Sequence, residues 1–215
     1  MKYMLICLLA MTHFAQIAAQ QPAKWTFWKA VGDVKIYYRE SAGSAIKEVK
    51  MTFDIFTTPT ILVAALQDIE AYPKWVYRST TSRVVNRYTP LEVDYYNYID
   101  FPWPLADRDI AMHSTLAQDP HTRAVTSTSV CKPTLVPRLA EVVRISDMQS
   151  RWVFTPVGKG KMYSEYTFRA NPGGNVPAWM VNLALDEGPL RTIEGLRKML
   201  RQPQYHNVSV AGIID

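Results

Sequence analysis

Over much of the chain, polar and apolar residues alternate with the period of a strand rather than of a helix. Val34, Ile36 and Tyr38 alternate with Lys35, Tyr37 and Arg39, which predicts a half-buried strand. After turn residues at Ser41-Ala42-Gly43-Ser44, Val49, Met51, Phe53 and Ile55 alternate with Lys50, Thr52 and Asp54 over a longer strand, so the two form a hairpin. Lys24-Trp25-Thr26-Phe27-Trp28 reads as a short packed lead-in to it. At Thr58-Pro59 the period changes: a capping hydroxyl precedes proline at the first helical position, and Ile61, Leu62, Ala65 and Leu66 keep helical spacing. A second short helix is predicted from Ile69 to Trp75.

Strand periodicity returns from Ser82 to Ala170 in a succession of segments: Arg83 to Tyr88, Glu92 to Phe101, Arg108 to Leu116, Arg123 to Val130, Glu141 to Ile145, Arg151 to Thr155 and Lys161 to Arg169. The turns between them are too short for parallel crossovers, which need a dozen residues or more, so the pattern predicts an antiparallel meander. Asn175-Val176-Pro177 then opens a helical segment to about Arg201, with Leu190, Ile193, Leu196 and Leu200 on one stripe and a kink expected at Gly188-Pro189. With no repeat and no linker, hairpin, helices, meander and terminal helix make one α+β domain.

Composition leaves that reading intact and adds a question. The 215 residues are 48% hydrophobic and 20% charged with a net charge of +5, which excludes disordered, collagenous and disulfide-scaffold chains. Aromatic residues reach 12%, with six Trp and twelve Tyr, more large rings than an ordinary core requires, as though something flat and apolar were held between them. Lys2, the apolar run from Tyr3 to Met11 and the small residues ending Ile17-Ala18-Ala19 follow the order of a secretory signal peptide. Thr12, His13 and Gln16 interrupt the run, and a membrane anchor would need about 20 apolar residues. Residues 1–19 are therefore expected to be removed near Ala19, giving a secreted or periplasmic protein. Their loss takes away Lys2 and Cys7 and leaves a net +4 with the single cysteine Cys131, so no internal disulfide forms. Arg191, Arg197, Lys198 and Arg201 form the densest basic cluster and read as a solvated helix face; transient contact with an anionic membrane surface is the other use for it. No nucleic-acid recognition motif accompanies the charge.

Hydroxyls recur among the apolar groups of the predicted strands: Ile110, Met112, Ser114 and Leu116 on one, Ser150, Trp152 and Phe154 on a second, Ser164, Tyr166 and Phe168 on a third. A plain core prefers side chains without polar atoms, whereas a ligand pocket is apolar with a few placed hydroxyls. The most specific stretch is Phe101-Pro102-Trp103-Pro104-Leu105-Ala106-Asp107-Arg108-Asp109, a Pro-Trp-Pro-Leu turn running into Asp-Arg-Asp at the head of a strand. It resembles the signature of the START domain, the steroidogenic-acute-regulatory-related lipid-transfer family. Val34 to Arg39, Ile46-Lys47-Glu48-Val49, Asp68, Trp75, Val143-Arg144, Asn171-Pro172-Gly173-Gly174-Asn175-Val176-Pro177-Ala178-Trp179 and Leu196-Arg197-Lys198 occur in the order this family has. The resemblance covers about residues 25–201, within a domain read as 20–205 and followed by a tail of residues 206–215.

The resemblance implies a helix-grip fold: a curved antiparallel sheet wrapped around a long C-terminal helix, enclosing a tunnel for a lipid or other hydrophobic small molecule. Sterol-binding members carry an acidic residue and an arginine in the cavity, and counting from Arg108 these positions fall on Tyr95 and Ser114. The charged pair is thus replaced by two neutral hydroxyls. By the same counting, Ser150 and Trp152, and on the helix Leu196 and Leu200, face the ligand. With Met112 and Tyr166 from the alternation they complete the expected ligand-binding set. Arg108 and Asp109 are expected to be structural, as an ion pair or turn lock. Trp25, Trp28, Trp75 and Trp103 are assigned to packed ends and turns.

No Gly-x-Ser-x-Gly, His-Glu-x-x-His, cysteine pair or glycine-rich phosphate loop occurs in the sequence. His113, His121 and His206 share no metal-ligand spacing, so neither metal nor cofactor is expected. The sequence therefore reads as a non-catalytic carrier of a hydrophobic ligand. The alternative is an enzyme of the polyketide cyclase/aromatase kind using the same cavity, for which Glu165, Arg144 and Tyr98 are the candidate acid-base groups.

Overall fold

The computed structural model describes residues 23–215, so the predicted leader over residues 1–19 lies outside the described residues. Its strands are β1 (Thr26–Val31), β2 (Val34–Ser41), β3 (Ser44–Phe56), β4 (Ser79–Thr89), β5 (Glu92–Ile99), β6 (Arg108–Gln118), β7 (Val125–Cys131), β8 (Val143–Ile145), β9 (Asp147–Gly158) and β10 (Lys161–Asn171). They form one sheet in the order β1-β2-β3-β10-β9-β7-β6-β5-β4. The meander and the hairpin are thus both present, joined by the long-range pairing of β3 with β10. The lead-in is itself a strand, β1, paired with β2. Its Phe27 and Trp28 rings are exposed, standing edge-on to Tyr37 and Tyr38. The segment Glu141 to Ile145 departs from the predicted meander. Only Val143–Ile145 is a strand, and it runs parallel to β6, because the loop after β7 carries the chain back to where β6 begins.

Helix α1 (Pro59–Gln67) starts where predicted, with the Thr58 hydroxyl accepting from the Ile61 amide, and buries Leu62, Val63, Ala65 and Leu66. The second helical segment is a single 3-10 stretch, Ile69–Lys74. The terminal helical segment is divided into α2 (Ala178–Leu183) and α3 (Glu187–Met199), where one kinked helix was expected. Proline has no N–H to give, and its ring clashes with the carbonyl four residues back, here that of Leu185. The break therefore falls at residues 184–186, and Pro189 sits in the first turn of α3, where amide donors are not needed. The apolar stripe of α3, with Ile193, Leu196 and Met199 buried, packs on the inner face of the sheet in one core with Phe53, Trp152, Phe154 and Tyr166. Tail residues Val210 and Ile213 pack against the same core, and Gln118 on β6 exchanges two hydrogen bonds with Ile214.

The Asp-Arg-Asp stretch is structural, but its ion pair has a different partner from the one expected. Asp109 binds Arg144 of β8 in a two-pronged contact at 2.7 and 2.8 Å, both side chains 1% exposed. Arg144 also donates to the carbonyls of Pro133, Val136 and Pro137, which holds the long β7–β8 loop, and Tyr96 donates to Asp109. Burial and the Asp109 carboxylate push the Tyr96 phenol up to about 12. Arg108 instead donates to the carbonyls of Ala106, Pro172 and Gly173 and lies 4.3 Å over the Phe101 ring. It clasps the turn before β6 to the loop after β10, and burial lowers its pKa. A Cβ at Gly174 would stand 3.3 Å from the Arg108 guanidinium, and Gly174 has a positive φ. The loop before α2 is therefore built around this arginine. Trp103, assigned by sequence to a packed turn, is 91% exposed.

Two outcomes follow for stability. Asp109→Ala strands a buried guanidinium and should cost about 3–5 kcal/mol in urea unfolding, whereas the double replacement Asp109→Leu with Arg144→Met should cost less than the sum of the single changes. Additive losses would show that the pair is not coupled. Gly195 of α3 lies against the Trp75 carbonyl, with which a Cβ would collide. Gly195→Ala should therefore destabilise by roughly 1–3 kcal/mol, although in a free helix the same change stabilises by about 1 kcal/mol; a rise in melting temperature would refute the close approach.

Candidate functional site

Because antiparallel partners share a face, the strand registers lay the inner side chains in rows across the sheet. One row runs Ser114, Ser129, Ser150, Phe168 over β6, β7, β9 and β10. The next runs Ser127, Trp152, Tyr166, Met51 over β7, β9, β10 and β3. Three serines side by side are too small to fill the space below α3, and the rings next to them are too rigid to collapse into it. A cavity of about 210 Å³ remains. Its floor is this part of the sheet, and its roof is Leu66 of α1, the segment Tyr72 to Tyr77 and the first turns of α3 at Gly188, Pro189 and Thr192.

Aromatic rings line much of it. Trp152 stacks on Tyr166 at 3.6 Å between centroids and 11° between planes, continues to Phe154 at 5.6 Å, and is met edge-on by Phe53. Tyr72 stands edge-on to both Tyr95 and Trp75. Tyr77 latches the roof: its amide donates to the Thr192 hydroxyl of α3 and its own hydroxyl to Glu187. The Tyr72 hydroxyl is committed to the Leu66 carbonyl, and the Asn97 carbonyl oxygen accepts from Ser79. Burial pushes the Tyr95 phenol up to about 12, opposed by the neighbouring Ser129 hydroxyl, and burial raises the Tyr72 and Tyr166 phenols well above their usual range. All three stay protonated at neutral pH, as hydrogen-bond donors. Among the described residues, no charged side chain lines the cavity and no group of three His, Cys, Asp or Glu is placed to hold a metal.

Of the residues singled out by sequence, Tyr95, Met112, Ser150, Trp152 and Tyr166 are brought together on the cavity wall. Ser114 is one position behind it, hydrogen-bonded to the lining Ser129 at 3.0 Å. Leu196 and Leu200 are corrected: they are buried with Ile193 and Met199 in the solid part of the core, because the cavity meets only the first turns of α3. Helical periodicity tells which face of a helix turns inward but not how far along it a cavity extends. Ser127 and Ser129 were missed, although the alternation Val125, Ser127, Ser129 carried the same signal as the chosen strands. Tyr72 and Trp75 were missed as lining residues because nothing local tells that a 3-10 segment forms a roof.

The candidate acid-base groups lie elsewhere. Glu165 stands 4.0 Å from Lys50 on the outer face, Arg144 is held by Asp109, and the Tyr98 hydroxyl donates to Asp107. None of the three lines the cavity. His113 also faces outward, with Nδ1 2.7 Å from Asp94. Burial raises the Cys131 thiol to about 11, so it is inert rather than reactive.

Known proteins share this architecture. A STAR-related lipid transfer protein from Xanthomonas axonopodis superposes with a TM-score of 0.76 at 28% identity, over 83% of this chain and 99% of that one. Human STARD10 superposes with a TM-score of 0.73 at 18% identity, over 84% of this chain and 75% of that one, a likeness of fold alone. The uncharacterized protein PA1579 of Pseudomonas aeruginosa is 26% identical over 173 residues, 80% of this chain and 85% of the relative. The family model described as START domain matches residues 8–206, and with its helix-grip sheet and its inner cavity the chain belongs to the START domain family.

Proposed function

We propose that this protein binds a hydrophobic molecule, a lipid or lipid-like compound, in the cavity between the sheet and α3 and carries it without chemically changing it. The observation that carries the reading is the row of serines beside the Trp152–Tyr166 stack, which leaves space where a plain core would be filled. Family membership supports it, as does the fold shared with a bacterial STAR-related lipid transfer protein. A carrier needs no acid or base in its tunnel, and the three groups that an enzyme of this shape could use point elsewhere. The leader predicted at residues 1–19 makes it a secreted or periplasmic carrier.

Loading and release then occur at a membrane surface. The α2 helix buries none of its residues, and Trp179, Met180 and Leu183 are exposed on it. Asn182 fixes α2 to the start of β3 through the Lys47 amide and the Ala45 carbonyl, so the exposed side chains belong to a held element. Large apolar groups of this kind insert at the headgroup level.

Native mass spectrometry of the protein from its own host should find a chain beginning at Gln20 with one hydrophobic molecule bound per protomer. Ser150→Leu should fill the cavity and remove that molecule while leaving the circular dichroism spectrum unchanged. An empty wild type, or a variant that retains the ligand, refutes the cavity assignment, and a chain still carrying residues 1–19 refutes secretion. For membrane contact, the double change Trp179→Ser with Leu183→Ser should reduce sedimentation with anionic vesicles severalfold without altering ligand affinity. Unchanged sedimentation would rule α2 out as the contact.

A further inference from the structure

If the cavity takes a hydrophobic ligand, as proposed above, its lining also defines what the buried end of that ligand is. We infer that this end is uncharged and carries one oxygen acceptor, a ketone, ester or hydroxyl oxygen, held by Tyr166 and Tyr95. The inference rests on how the domain disposes of its ionised and hydrogen-bonding groups. The buried ionised side chains among the described residues are already matched away from the cavity: Asp109 with Arg144, Arg108 with three carbonyls, Asp94 with Lys132, Tyr88 and His113, and Asp186 with Lys29. A carboxylate or phosphate entering the cavity would lose its water and meet no counter-charge, which disfavours it strongly.

The neutral donors are disposed differently. Tyr72 and Ser129 give their protons to Leu66 and Ser114, and the Trp75 indole N–H is buried without a partner and so does not open to the cavity. Tyr166 and Tyr95 are 7% and 9% exposed and line the cavity, and the Tyr166 hydroxyl donates to no protein acceptor among the described residues. It is not among the buried side-chain atoms that lack a partner, so with no protein acceptor it opens to the cavity and is free to donate to a guest. Tyr166 is also the ring stacked on Trp152, so the donor and a flat apolar surface are presented side by side. The volume of about 210 Å³ is below the ~300–1,000 Å³ of common small-molecule sites, which favours a compact guest such as a fused-ring ketone or one short chain over a two-chain phospholipid.

Calorimetric titration of residues 20–215 with naphthalene, 2-acetylnaphthalene and 2-naphthoate at pH 8 tests this with one ring system and three polar ends. The ketone should bind about tenfold more tightly than naphthalene, the gain of one buried hydrogen bond. Naphthoate should bind at least a hundredfold more weakly than the ketone and recover as the pH falls through ~4, where its carboxyl group becomes neutral. Tyr166→Phe and Tyr95→Phe together should bring the ketone to the affinity of naphthalene and leave naphthalene within about twofold, because both rings remain. Naphthoate binding as well as the ketone, or a ketone preference that survives both substitutions, overturns the inference. Equal binding of all three also overturns it and leaves the hydrophobic-carrier reading in place, whereas failure of all three to bind removes both.

Discussion

The register between β9 and β10 is the constraint on which the rest of the structure depends. Setting Trp152 opposite Tyr166 puts Ser150, Trp152 and Phe154 on the same face as Phe168, Tyr166 and Ser164. A slip of one residue would turn one of the two strands over, sending its three side chains to solvent and bringing Arg151 and Val153, or Glu165 and Thr167, beneath α3. The long pairing of β10 with β3 and of β9 with β7 transmits this choice to both halves of the sheet. Cavity, aromatic stack and the seat of α3 all follow from it.

A second theme is the separation of charge from the interior of the cavity. Burying an ion is tolerable only where it is paired or well hydrogen-bonded, and the domain meets that condition at the edge of the fold. Asp109 with Arg144 secures the β7–β8 loop, and Arg108 secures the approach to α2. The cavity itself is left with phenols, serines and rings, polar enough to orient a guest and without a formal charge to attract an ionised one. Tyr95 on its wall and Ser114 just behind it are both neutral hydroxyls.

The aromatic excess divides along the same lines. Trp152, Tyr166, Tyr95, Tyr72 and Trp75 surround the cavity, so the rings that exceed an ordinary core's needs are concentrated where a flat apolar guest would lie. Trp103 and Trp179 are exposed, as is Trp28, and serve no core at all. Trp25 carries the cationic side chains of Arg39 and Lys50 on its ring. Counting rings could raise the question of a ligand, but only their placement separated lining from surface.

By itself the sequence determined the elements, most of their boundaries, the α+β class and, through the order of its motifs, the family. Alternation and capping are local properties, and each strand carries its own record of which side faces inward. Five of the eight residues expected to bind a ligand line the cavity for that reason. The tertiary structure decided what local pattern cannot encode. It joined the hairpin to the far end of the meander, ran β8 parallel to β6, gave Asp109 the partner Arg144 thirty-five residues away, and divided the terminal helix at residues 184–186. It also fixed the extent of the cavity, admitting Ser127, Ser129, Tyr72 and Trp75 and leaving Leu196 and Leu200 in solid core. A side chain's inward direction is written in its neighbours along the chain, whereas the empty volume above it depends on residues from other strands and from the roof, which only the folded chain brings together.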